Sequence, residues 1–167
     1  MSEGKHLSVG LIESFNSARP AAFAPFSMAT DGLSAAQAAR VPGERLNSIW
    51  AVTNHLWFWN EAPLRLLRGQ AVEPAELGAA DWKGWPPAGD PADEAAWQAA
   101  RARAIEANAA FAAAAAELAP EALAAELPGW GPAWAIVQSM LAHNSYHTGE
   151  IMTLRHLQGL WIDSRLT

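Results

Sequence analysis

Apolar residues recur at helical spacing in four long stretches of the chain, and polar residues, prolines and glycines separate these stretches. In the best-defined stretch, apolar side chains recur from Ile49 to Trp59, directly after a possible capping residue at Asn47 or Ser48. The pattern therefore predicts four helices, which span about residues 7–29, 49–68, 93–118 and 131–158.

Prolines and glycines refine this prediction. Pro20 and Pro25 predict a kink or a break in the first helix, because proline lacks the N–H that a helix interior needs. Pro63 predicts a bend in the second helix for the same reason. Gly69 and Gly159 stand where the glycine after a helix is expected.

The connections between the helices differ in length. Short helical turns are predicted at residues 34–39 and 121–126. The longest connection, residues 70–91, is rich in proline, glycine and tryptophan, and a loop of this length in a compact domain usually covers a surface or has a function. Trp82 and Trp85 indicate that it packs back on the helices.

Composition assigns the chain to the all-α class. Alanine, the residue with the highest helix propensity, is abundant, and no stretch alternates β-branched residues as a strand would. A chain of 167 residues fits one domain, so we expect residues 1–167 to form a single four-helix bundle with long connecting loops.

Charge and cysteine usage exclude several functional classes. The net charge is −6 and the 11 basic residues are scattered, so the sequence has no basic face for nucleic acid or an anionic membrane. No apolar run approaches the roughly 18 residues of a membrane span. The chain has no cysteine, which excludes disulfides and thiolate ligands. Because no signal peptide is recognisable at the start, we expect a cytoplasmic protein.

Two histidines of the fourth predicted helix are the main candidates for chemistry. His143 and His147 lie four residues apart, so their Cβ atoms would be about 5–6 Å apart on one helix face. They replace aliphatic residues in the apolar stripe that runs from Ile136 to Leu154. His55 occupies a similar position in the second helix, and helices of a bundle can bring three such imidazoles together.

Two interpretations of these buried histidines remain open on spacing alone. Buried imidazoles need partners, since their nitrogens lose water on burial. One divalent metal ion shared by His55, His143 and His147 meets that need and leaves coordination positions for water or substrate, as in catalytic rather than structural sites. A hydrogen-bonded network with Tyr, Asn or Glu side chains also meets it.

Glu150 follows His147 by three residues and lies on nearly the same side of the helix. It is the candidate catalytic residue, either as a base or as a group that orients an imidazole, and the alternative is an ordinary surface carboxylate. Arg155 is the other charged candidate near the site, as a clamp for a substrate.

The neighbouring polar residues are given structural roles. Asn144 and Tyr146 project from other sides of the fourth helix, which predicts packing or a subunit contact. His6 and His156, near the ends of the predicted helices, are expected to be solvated.

Tryptophan is abundant, with nine residues. Trp50, Trp57 and Trp59 share one helix and cannot all face the same side, so most are predicted to lie in the core. One or two of them, with Trp82 or Trp85 from the long loop, are expected to wall an apolar pocket over the metal.

Two segments resemble the DinB/YfiT-like family of four-helix-bundle proteins. Residues 141–151 read LAHNSYHTGEI and are followed by LR at 154–155 and LQG at 157–159, which is similar to that family's last helix. Residues 46–56 read LNSIWAVTNHL and end in LRG at 67–69, which is similar to its second helix.

The resemblance implies a bundle, often a homodimer, with a three-histidine site for a divalent ion such as Ni, Zn or Mn. It also implies a metal-dependent enzyme that acts on a small molecule, as a transferase of low-molecular-weight thiols or a hydrolase. The alternative is a metal- or ligand-binding bundle without catalysis, such as a protein induced by stress.

Overall fold

The computed structural model describes residues 2–18, 23–72 and 85–162. Within these ranges the chain forms seven helices and one two-stranded hairpin. The four long helices are α1 (Glu3–Phe15), α4 (Ile49–Leu67), α5 (Glu94–Glu117) and α7 (Ala133–Leu157). The short elements are α2 (Phe26–Ala29), α3 (Ala35–Ala39), α6 (Pro120–Ala124), β1 (Glu126–Leu127) and β2 (Gly131–Pro132).

Capping residues and glycines define the ends of the later helices, as predicted. The Ser48 side chain accepts a hydrogen bond from the backbone N–H of Ala51 and begins α4, and Asp93 does the same for α5. Pro63 lies inside α4, which continues to Leu67. Gly69 adopts a positive φ of 71° directly after the end of α4.

The first predicted helix is two helices rather than one. α1 ends at Phe15 and α2 begins at Phe26, after Pro25 as its N-cap. The rings of Phe15 and Phe26 stack with centroids 4.3 Å apart, so the chain reverses to pack the two ends together. Pro20 lies outside the described residues.

The hairpin differs from the all-helical prediction. The predicted helical turn at 121–126 ends at Ala124, and Glu126 and Leu127 pair with Pro132 and Gly131 in an antiparallel ladder. Two paired residues on each side are too few to produce an alternating pattern. All other regular elements in the described ranges are helices, so the all-α fold class is confirmed.

The four long helices pack as a bundle in which α1 and α4 each contact both α5 and α7. One buried cluster joins α4 and α5 to the short helices α2 and α3 and includes Trp50, Leu56 and Trp97. A second joins α1, α5 and α7 and includes Leu11 and Phe111. Among the described residues, no helix is both long enough and apolar enough to cross a membrane.

A chain of four asparagines crosses the interior of the bundle, with one from each long helix or its end. Asn60 and Asn144 exchange two side-chain hydrogen bonds, at 3.2 and 3.0 Å. Asn144 also donates to Asn108 Oδ1 at 2.9 Å, and Asn108 donates to Asn16, which caps α1. Asn60, Asn108 and Asn144 are fully buried. Below, these four residues are called the asparagine chain.

Candidate metal centre

The structure brings the three predicted histidines together although His55 and His143 are 88 positions apart in the sequence. His55 comes from α4, and His143 and His147 come from successive turns of α7. One ring nitrogen of each histidine lies within 4.8 Å of the others. His55 and His147 are buried and His143 is half-buried. This group is called the histidine cluster below.

One pair of nitrogen atoms in the histidine cluster is spaced as two ligands of one ion would be, and all three lie within 4.8 Å of one another. His55 Nε2 lies 3.1 Å from His143 Nε2. Two imidazole nitrogens at about 2.0–2.1 Å from a tetrahedral ion stand roughly 3.3 Å apart. His143 Nδ1 is buried and has no hydrogen-bond partner among the described residues, so hydrogen bonds within the protein do not satisfy the whole cluster. The three residues therefore fit a shared divalent ion.

Glu150 determines which nitrogen of His147 is available. Its Oε2 lies 2.7 Å from His147 Nδ1, and its Oε1 accepts a hydrogen bond from Asn47 Nδ2 at 2.9 Å. A carboxylate accepts a proton donor, so His147 Nδ1 carries the hydrogen and Nε2 keeps its lone pair. Glu150 thus orients an imidazole, which is one of the two active roles considered for it.

The surroundings of His143 favour its neutral imidazole. Burial, and then the nearby His147 and His55, lower the pKa of His143 to about 4. His143 is therefore uncharged at neutral pH, as a metal ligand must be. The hydrogen bond from His147 lowers the pKa of Glu150, with a smaller contribution from Asn47, although burial opposes it. Glu150 is accordingly a carboxylate.

We expect Glu150→Gln to weaken divalent-ion binding by about 10–100-fold, the usual effect of losing an outer partner of a ligand. The amide keeps an oxygen but loses the negative charge that holds His147 in one tautomer. Competition with a chromophoric chelator measures the affinity. Glu121→Gln changes an exposed carboxylate on α6 and is the matched control. Equal affinities for the two variants would show that Glu150 does not support the site.

Trp85 covers one side of the histidine cluster. Its ring stacks on His55 at 3.8 Å and 14°, and it meets the edge of His147 at 5.5 Å. The segment after it is fixed on α4, since Asn54 Nδ2 donates to Pro87 O at 2.7 Å and Gly89 packs against the Trp50 ring. The predicted packing of the long loop is confirmed at this segment, whereas Trp82 lies outside the described residues.

Trp59 lies on another side of the cluster, 6.2 Å from His55 and 6.3 Å from His143 between ring centroids. It also lines a pocket that reaches His143. Trp50 is buried in the core against Trp97. The prediction that most of these rings lie in the core was wrong, because Trp57 and Trp59 are only half-buried. Sequence reasoning anticipated an aromatic wall but did not identify Trp59 and Trp85 as its members.

Two expectations about α7 were wrong. Arg155 is buried and donates to the backbone carbonyls of Ala29, Asp31 and Leu160, so it joins the ends of helices and does not face the cluster as a clamp. His156 is half-buried rather than solvated, and its ring stacks on Trp161 at 4.1 Å. Both misassignments have the same cause. The position of a residue near a helix end does not show which other segments of the chain pack against that end.

The remaining expectations for α7 agree with the structure in part. Asn144 is buried in the asparagine chain, which agrees with packing, one of the two roles predicted for it. Tyr146 is 72% exposed, which leaves the predicted subunit contact as a prediction. His6 is exposed, as expected.

These features define an all-α bundle with a buried three-histidine cluster between its second and fourth long helices. The DinB superfamily matches residues 21–151, which include all three histidines and most of the chain. The protein therefore belongs to the DinB superfamily, as the two segment resemblances predicted. Comparisons with curated proteins and with solved structures gave no match.

Proposed function

We propose that the protein is a divalent-metal-dependent enzyme that acts on a small molecule, by thiol transfer or hydrolysis. The observation that carries the proposal is the convergence of three imidazoles on one point. Among the described residues, no fourth histidine, cysteine or carboxylate belongs to this group. Three protein ligands leave an ion open to a further group, which is typical of catalytic sites. A divalent ion held there would supply Lewis acidity toward a carbonyl, a leaving group or a thiol sulfur.

The residues around the cluster would hold and select the ion. Imidazole nitrogens suit Zn and Ni better than Mn, which prefers carboxylate and water ligands, so Zn or Ni is the ion expected here. Glu150 fixes the tautomer of His147. Trp85 shields His55 from one side, so a substrate would reach the cluster from the side of His143, where the pocket lies.

One observation favours the second candidate, a metal- or ligand-binding bundle without catalysis. Both oxygens of Glu150 are already hydrogen-bonded, and Arg155 points elsewhere. A general base or a charged clamp is the feature that would commit such a site to chemistry.

Metal content and turnover test the proposal together. Tag-free wild-type protein should contain about one equivalent of divalent ion by mass spectrometry, as three ligands for one site require. The metal-loaded protein should then accelerate reaction of a low-molecular-weight thiol with an electrophile, or hydrolysis of an ester or amide, and chelation should remove the rate. Bound metal without turnover would support the second candidate. Protein that takes up neither Zn nor Ni would eliminate the metalloenzyme and leave only a ligand-binding bundle of the second candidate.

We also propose that the protein is a homodimer. Tyr146, Thr153 and Leu157 share one exposed face of α7, and none of them is charged. We expect light scattering to give twice the mass of the chain for wild type, and Thr153→Glu to shift the mass toward the monomer because it buries a charge. Gln138→Glu, elsewhere on the same helix, is the control. A monomeric wild type at about 100 μM would rule out a dimer of ordinary affinity.

A further inference from the structure

A pocket of about 320 Å³ adjoins the histidine cluster on the side away from Trp85. Its walls come from three elements: Trp59 and Pro63 of α4, Trp130 of the hairpin turn, and the face of α7 between residues 135 and 143. His143 lies at the end of that face. The volume is at the lower end of the roughly 300–1,000 Å³ typical of small-molecule sites.

The side chains of the pocket are apolar, apart from two. Trp59 and Trp130 contact each other edge to face at 6.5 Å, and Ile136 and Met140 supply aliphatic and thioether surface from α7. Ser139 is exposed, so its hydroxyl lies at the solvent side. His143 is therefore the polar group at the inner end. Among the residues that the structure describes, no Lys, Arg, Asp or Glu lines the pocket.

This composition selects against charged ligands. A charged group moved from water into these walls would lose part of its hydration without gaining an ion pair from a described residue, which is unfavourable. The indole rings would offset part of this cost for a cation but not for an anion. An aromatic ring, in contrast, would bury apolar area and could contact the indole rings in stacked or edge-to-face geometry.

We propose that this pocket binds a small uncharged aromatic compound, with its ring against Trp59 and Trp130 and its polar substituent toward His143. The inference rests on the proposed function in one respect: the compound is taken to be the substrate, or the electrophilic partner of the thiol, at the histidine cluster. The pocket thereby specifies the substrate class, and the cluster supplies the chemistry.

Three probes with the same carbon skeleton test this by titration calorimetry on the full-length protein. 4-Methylbenzyl alcohol is neutral and aromatic, 4-methylbenzylamine is a cation at neutral pH, and 4-methylcyclohexylmethanol is neutral but saturated. We expect the alcohol to bind at least about tenfold more tightly than either of the others. Equal or tighter binding of the cation would overturn the requirement for an uncharged ligand, and equal binding of the saturated alcohol would overturn the requirement for an aromatic one.

Ala135→Phe should fill the pocket, because Ala135 is half-buried on its wall. We expect it to weaken binding of 4-methylbenzyl alcohol by at least about tenfold. Gln138→Phe, exposed on the same helix but not in the pocket, should bind as wild type does. If Ala135→Phe does not fold, Ser139→Phe at the rim provides the same test. Unchanged binding in a folded pocket variant would place the probe elsewhere and overturn the proposal.

Metal content separates this inference from the proposed function. Each protein is assayed for bound Zn or Ni as well as for the probe. A wild type that binds the alcohol in an Ala135-dependent way but takes up no metal would eliminate the metalloenzyme and retain the pocket. A wild type that holds one ion but does not bind the alcohol would overturn the pocket assignment alone.

Discussion

His143→Ala should lower the affinity for Zn or Ni by more than about 100-fold. That is more than the loss of a residue that only hydrogen-bonds a ligand can cause. His143 contributes one of only three protein nitrogens in the cluster, and its Nε2 lies 3.1 Å from that of His55. The variant would leave two ligands for the ion, from different helices. Chelator competition measures the affinity, and His6→Ala, which removes an exposed histidine outside the cluster, is the control.

The same variant distinguishes a metal site from a structural histidine network. His143 Nδ1 is buried without a hydrogen-bond partner among the described residues, and burial disfavours its charged form. Removing this half-buried ring should therefore cost little free energy of unfolding in chelator beyond its contacts with His55 and Trp59. If the three histidines instead stabilise the fold as a hydrogen-bonded network, His143→Ala would cost about 1–3 kcal/mol without any metal present. Unchanged metal affinity together with such a loss would reject the proposed metal centre.

Asn144→Leu should destabilise the protein by about 2–6 kcal/mol, a large part of the about 5–15 kcal/mol that stabilises an ordinary domain. Asn144 is fully buried and donates to both Asn60 Oδ1 and Asn108 Oδ1. Leucine has a similar volume but no donor, so both acceptors would stay buried without this hydrogen bond, at about 1–3 kcal/mol each. Asn60 Nδ2 would also lose one of its two acceptors.

Urea denaturation in the presence of chelator measures this loss. Gln138→Leu removes an exposed amide from the same helix and should change the free energy of unfolding by less than about 0.5 kcal/mol. A loss below about 1 kcal/mol for Asn144→Leu would mean that the asparagine chain is replaceable by apolar packing, as some buried polar groups are.

The histidine cluster was predictable because its signal is local and its resemblance is specific. His143 and His147 are four residues apart in an apolar stripe, and that spacing on a helix fixes their common side. His55 was a candidate from its position on the buried side of the second helix, and the resemblance then chose the metal site over a hydrogen-bonded network. Its contact with His143 spans 88 positions.

The asparagine chain could not be predicted in the same way. Asn144 contacts Asn60 and Asn108 across 84 and 36 positions, and a single buried asparagine in a helix has the same local pattern as a solvated one. Trp85 likewise stacks on His55 from a loop without periodicity. The break that the prolines predicted lies between Phe15 and Phe26, whose rings stack, but the residue at which α1 ends could not be predicted from local pattern.

All three histidines of the cluster lie on α4 and α7, and this placement has a thermodynamic consequence. An ion held by His55 and the two histidines of α7 binds only when these helices are packed together, so its binding free energy is linked to folding. At a free-ion concentration of 100 times the dissociation constant, such linkage raises the free energy of unfolding by about 2.7 kcal/mol. The resistance of this protein to heat would then rise and fall with the metal supply of its surroundings.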